Sequence, residues 1–116
     1  MTQANYTQAQ IDAIVTEAKT AAYQAADRFF QDKLGGQDQY ACGFAWVEIF
    51  GIKGNTRLGK MLKAAGLRKD FSRTFTLWNP ASLPVQNVDT LEAGAYAAAA
   101  VFEKHGFQAY AASRLD

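Results

Sequence analysis

The sequence is poor in the features that staple, anchor or steer a small protein. It has one cysteine, Cys42, which excludes an internal disulfide and fits a reducing compartment. It has one histidine, His105, too few for a usual zinc site with a lone cysteine. Both prolines, Pro80 and Pro84, fall in one loop, so there is no Pro-rich linker. No stretch approaches the roughly 18 apolar residues that a membrane span needs, and no membrane partner is expected. Met1 to Gln10 has neither a basic nor an apolar region, so a secretion signal is not expected. Formal net charge is only +1, which removes any global field favouring polyanions. Basic chemistry must therefore come from local clustering.

What is present is core material. Hydrophobic residues make up 49% and aromatics 13% of 116 residues, enough for one domain to fold without staples. The pattern predicts helix, strand, helix, strand, loop, helix, strand. Thr7 and Gln10 have capping-box spacing, with Tyr6 and Ile11 placed as a hydrophobic staple. The helix they start is expected to end near Leu34, before Gly35 and Gly36. Its apolar stripe is Ile11, Val15, Ala18, Ala22, Ala25 and Phe29. Ala41 to Phe50 (ACGFAWVEIF) is apolar on both alternating faces, as for a central strand covered on two sides, with Glu48 expected toward one end. Gly51 to Gly54 turns the chain, and Asn55 is the expected cap of a short helix from Thr56 to Ala65. Phe71 to Trp78 alternates as a half-exposed strand. After the loop Asn79 to Val88, Asp89 and Glu92 repeat the cap-plus-three spacing, and an Ala-rich helix runs from Thr90 to about His105. Phe107 to Ala112 adds a last strand.

These elements predict a single domain (1–116) of α+β or small α/β class. It has about three helices and a three-stranded sheet, with the long N-terminal helix packed on one face. That helix, 27 residues from Gln8 to Leu34, spans about 40 Å. Tyr23 and Phe30 lie off its stripe, so pairing of two copies through this helix into a homodimer is a further expectation.

Two segments could carry chemistry. Gly54 to Lys60 reads GNTRLGK, close to a phosphate-binding loop, but Met61 stands where that motif needs Ser or Thr for Mg²⁺. The plainer form is an anion site at a helix start made by Lys53, Asn55, Thr56, Arg57, Lys60 and Lys63. Its alternative is a solvated basic face. Arg57, Lys60, Lys63, Arg68, Lys69 and Arg73 lie within seventeen residues and hold half of the twelve basic residues, which suits nucleic-acid phosphate or an acidic protein surface. Trp78, Asn79, Gln86, Asn87, Asp89 and Arg114 form a candidate recognition loop, unless Trp78 is core and the amides only brace turns. Cys42, inside the apolar strand, reads as a buried inert thiol. His105, at a helix C-terminus, is expected to meet the last carbonyls. No acid–base pair stands out; no catalytic residue, metal or cofactor is expected.

From Tyr40 onward the chain is similar to a family of small conserved phage proteins of unknown function. The strings that carry the resemblance are CGFAWVEIFGIKGNTRLGKMLKAAG (Cys42 to Gly66), WNP (Trp78 to Pro80), QNVDTLEAG (Gln86 to Gly94) and GFQAYAASRLD (Gly106 to Asp116). The resemblance implies a phage-encoded protein acting in the cytoplasm of an infected bacterium, and it implies no activity. The expected function is a non-enzymatic binding protein that modulates a host component. Its partner would be a host protein, nucleic acid or a nucleotide-like ligand held by the basic loop–helix segment. The alternatives are a small enzyme acting on a phosphorylated metabolite and a homo-oligomeric interaction module.

Overall fold

The computed structural model describes residues 5–69 and 74–116. Arg73 and the start of the expected strand at Phe71 lie outside the described residues. The elements run α1 (Gln8–Leu34), β1 (Gly43–Phe50), α2 (Arg57–Ala64), β2 (Arg68–Lys69), β3 (Phe75–Trp78), α3 (Val88–Lys104) and β4 (Gln108–Leu115).

Local chemistry sets the ends of the helices. At α1 the capping box forms as expected: Thr7 Oγ1 accepts from the Gln10 amide at 3.2 Å, and Gln10 Oε1 accepts from the Thr7 amide at 2.8 Å. Gly35 closes it in the left-handed region, at φ 62°. The other two caps differ from expectation. Thr56, not Asn55, caps α2, its Oγ1 accepting from the Gly59 amide at 3.0 Å. Asn87, not Asp89, caps α3, its Oδ1 accepting from the Thr90 amide at 2.8 Å. In each case several polar residues in a row could serve, and tertiary packing selects the one whose oxygen reaches the third amide.

The sheet has four strands rather than three, in the order β2-β3-β1-β4, with every neighbouring pair antiparallel. The added strand, β2, is only two residues, too short for alternation to reveal. β4 reaches Leu115, well past the expected Ala112, because all eight residues of β1 find partners on it. From β1 onward the connectivity is β-α-β-β-α-β. Since β1 lies between β3 and β4, and β3 between β1 and β2, this is the ferredoxin-like arrangement of two split β-α-β units, preceded by α1. The class is α+β.

α1 packs chiefly on α3, and both lie on the same side of the sheet. Their contact is close because it is built from Ala18, Ala22, Ala26, Ala95 and Ala98 around Gly94. A Cβ at Gly94 would stand 2.8 Å from Ala81 Cβ and 3.1 Å from the Ala22 carbonyl oxygen. The buried stripe of α1 passes through Ala26, while Ala25 and Phe29 are half-buried. A 3.6-residue turn drifts off a strict heptad, which shifts the contact by one position.

One core cluster joins Ile11, Val15 and Ala18 of α1, Leu58 and Leu62 of α2 and Leu91, Ala98 and Phe102 of α3. It also holds Ala45, Val47, Ile49, Phe75, Leu77 and Ala109 of the sheet. All three helices therefore serve one face. The molecule is two layers deep, with extents of 43 × 26 × 20 Å, and α1 spans the longest dimension. Among the described residues no helix lies on the opposite face of the sheet. The expectation that β1 is covered on both sides is thus corrected: its burial alternates, with Phe44, Trp46, Glu48 and Phe50 half-exposed. Cys42 is likewise exposed rather than buried, because it precedes β1. Among the described residues no helix is long and apolar enough to cross a membrane.

Candidate functional site on the open sheet face

Alternation along paired strands decides what the uncovered face displays. On β1 it shows Phe44, Trp46, Glu48 and Phe50. Register places Trp78 beside Trp46 and Thr76 beside Glu48 from β3, and Arg114, Ala112, Tyr110 and Gln108 from β4. Arg68 of β2 pairs with Thr76 at the far edge.

The aromatic residues contact one another. Trp46 and Trp78 stack with centroids 5.3 Å apart and planes 14° from parallel. Phe44 lies 5.6 Å from Trp78, tilted by 34°. Arg114 sets its guanidinium 5.2 Å from the Phe44 ring centroid. Farther along β1, Phe50 and Tyr110 meet edge to face at 5.5 Å. Trp78 is 47% exposed and Tyr110 51%, so an aromatic surface about 20 Å long along β1 is in contact with water.

Charge is placed around and within this surface. Trp46, Trp78, Thr76, Glu48, Arg68, Lys69 and Arg114 line a shallow concavity of about 650 Å³. Among the described residues Arg68 and Arg114 have no carboxylate within 4.0 Å; the salt bridges there all involve Glu17. Lys69 donates to the Ile52 carbonyl at 3.0 Å and lies 4.9 Å from the Phe75 centroid, which holds β2 against β3. Glu48 is not at a strand end, as expected, but within the ladder between Thr76 and Tyr110. Its Oε2 accepts from the Trp46 indole N–H at 2.9 Å.

The structure divides the expected recognition loop. Trp78 and Arg114 belong to the face. Asn79 and Gln86 line a smaller hollow of about 190 Å³ beside Phe44 and Trp78. Asn79 has φ 45°, and its buried Oδ1 lacks a hydrogen-bond partner among the described residues. Asn87 is removed from the recognition set: it is 1% exposed, caps α3 and donates to Asp38 Oδ1 at 2.9 Å. Asp38 also accepts from the amides of Gln86 and Asn87 at 2.9 and 3.0 Å. The side-chain bond from Asn87 and then the Gln86 amide hold its carboxyl below the usual value. This clamp fixes the start of α3 beside the start of β1. There Gly43 is required, since a Cβ would stand 2.5 Å from the Arg114 carbonyl oxygen. Asp89 is exposed in the first turn of α3, off this face.

The loop–helix segment is built for packing. A Cβ at Gly59 would stand 2.3 Å from the Lys53 carbonyl oxygen, so the second glycine of GNTRLGK lets the loop lie close on α2. The Lys53 carbonyl accepts from Thr56 Oγ1 at 2.7 Å, and Arg57 donates to the Tyr6 carbonyl at 3.0 Å, tying α2 to the start of α1. Asn55, Lys60 and Lys63 are exposed. Arg57, Lys60 and Lys63 do not line the concavity, whereas Arg68 and Lys69 of the same basic run do.

His105 is also corrected. Its Nε2 lies 2.9 Å from Glu17 Oε1 across the α1–α3 contact, not on the last carbonyls of α3. Lys104 pairs with the other Glu17 oxygen. Among the described residues no cluster of three potential metal ligands occurs. No family model, curated protein or solved structure matches the chain.

Proposed function

We propose that this protein is a non-enzymatic module that binds single-stranded nucleic acid on the open face of its sheet. The observation that carries the reading is the exposed Trp46–Trp78 stack, flanked by Phe44 and bordered by Arg68 and Arg114, neither with a carboxylate partner among the described residues. Unstacked bases find π faces on the aromatic rings, and phosphates find the guanidinium groups at the border. A protein interface of this size would keep charge out of its centre, and this face interleaves Glu48 and Arg114 with its rings. Fold analogy points the same way: four-stranded sheets of this connectivity recur in RNA-recognition modules that stack two or three bases on adjacent central strands. The basic run is thereby split: Arg68 serves the face, Lys69 turns its ammonium to the Ile52 carbonyl and the buried Phe75 ring, and Lys60 and Lys63 add only a distant electrostatic contribution.

The resemblance to small phage proteins supplies the setting, a factor acting on nucleic acid inside an infected bacterium. A concavity of about 650 Å³ also has the size of a small-ligand site, which favours a nucleotide-like ligand as the second reading. Pairing of two copies through the outer side of α1 is a separate proposal, supported by Tyr23 at 51% exposure.

The test uses fluorescent ten-nucleotide oligomers in RNA and DNA forms. Affinity should fall linearly in log–log form as salt rises. Trp78→Ala should weaken binding about tenfold to a hundredfold, as expected for one lost base stack of roughly 1–3 kcal/mol. No binding of either oligomer at low salt overturns the reading.

A further inference from the structure

Glu48 is out of place on a surface that binds phosphate. It stands inside the aromatic face, with the Trp46–Trp78 stack on one side along β1 and the Phe50–Tyr110 pair on the other. Its charge opposes that of the ligand backbone. It does not serve to neutralise an arginine: Arg68 and Arg114 line the same concavity, yet neither forms an ion pair with it within 4.0 Å. It is held in place all the same. The Trp46 indole N–H donates to Oε2 at 2.9 Å, which fixes the carboxylate at the rim of the stacking ring. Oε1 has no hydrogen-bond partner among the described residues.

We infer that Glu48 reads the base stacked on this platform and selects guanine. The inference rests on the single-stranded reading above. An ionised carboxylate only accepts hydrogen bonds. A base must therefore offer it donors. Guanine alone presents two adjacent donors on its pairing edge, the ring N1–H and the exocyclic amino group, which match the two carboxylate oxygens. Adenine and cytosine place an unprotonated ring nitrogen beside their amino group, and that lone pair faces the carboxylate. Uracil and thymine flank their one N–H with carbonyl oxygens. The Trp46 bond takes one lone pair of Oε2 and leaves the other, with both of Oε1, for the base. Glu48 is thus a specificity-determining residue, and Trp46 both carries the base and orients its reader.

The experiment exploits the fact that both tryptophans of the chain, Trp46 and Trp78, lie on this face, so intrinsic fluorescence reports on it alone. Ten-residue oligouridylate is compared with the same oligomer carrying one central guanosine, adenosine or cytidine, and with DNA equivalents, by tryptophan quenching and by anisotropy. The guanosine oligomer should bind about tenfold tighter than the others, in line with one well-made base contact. Glu48→Gln should remove that preference while leaving binding of oligouridylate equal or tighter, since a negative charge leaves the face. Equal affinity for all four oligomers overturns the guanine assignment and leaves the platform standing. A preference that persists in Glu48→Gln, with native circular dichroism, overturns the role of Glu48. Absence of binding to any oligomer overturns both the assignment and the platform.

Discussion

Asp38 illustrates how one exposed side chain can hold two elements in register. Its carboxylate accepts from two consecutive amides and the Asn87 side chain, joining the segment after α1 to the start of α3. Hydrogen bonds to the ionised form lower its folded-state value below the ordinary 3.8. The unfolded chain then binds more protons than the folded one in acid, so the contribution is complete at neutral pH. It declines as pH falls through 3.8 and is gone below the lowered value. Asp38→Asn should melt at a lower temperature than the parent at pH 7, and the gap should close in acid. An equal gap at both pH values would sink this account.

At the scale of elements, the α1–α3 contact depends on small side chains rather than on a broad apolar stripe. Gly94 lies in the middle of α3, where alanine would raise helix propensity by about 1 kcal/mol. Tertiary packing opposes that gain, because the added methyl would meet Ala81 Cβ at 2.8 Å and the Ala22 carbonyl oxygen at 3.1 Å. Neither neighbour is a flexible side-chain end. Overpacking of this kind costs about 1–3 kcal/mol, and Gly94→Ala should be net destabilising by denaturant midpoint. A stabilised variant would show that the helices can move apart freely. The same contact explains the pairing of Glu17 with Lys104 and His105, which brings the first half of α1 beside the end of α3.

For the whole molecule, the arrangement of helices matters more than their number. Three helices share one side of a four-stranded sheet, and among the described residues none covers the other side. α1 has used its small-residue stripe on α3, and Tyr23 points away from that contact at 51% exposure. If two copies pair through this outer side, light scattering at micromolar concentration should give twice the 12.7 kDa chain mass. Tyr23→Glu should return it to one chain. A single-chain mass for the unmodified protein would rule the pairing out. Because α1 and the open face lie on opposite sides, the oligomeric state and oligonucleotide affinity should vary independently.

The sequence by itself determined whatever depends on residues close together along the chain. The capping box at Thr7, the stop at Gly35, the presence of three helices and the strand through Phe44 to Phe50 are local matters of hydrogen-bond reach and periodicity. Of the residues that the sequence places together in one recognition loop, Trp78 and Arg114 lie on the open sheet face, whereas Asn87 is a buried helix cap. Tertiary structure decided which face of β1 is covered. A strand apolar on both faces has the same pattern whether the second face meets a helix or water, and only the placement of the helices on one side separates the two. It also decided the aromatic stack, because Trp46 and Trp78 are 32 residues apart and meet through β1–β3 register alone. The four-residue β3 and two-residue β2 that bring Trp78 and Arg68 to that face are too short to announce their pairing in sequence, since strand order is set by contacts between distant segments.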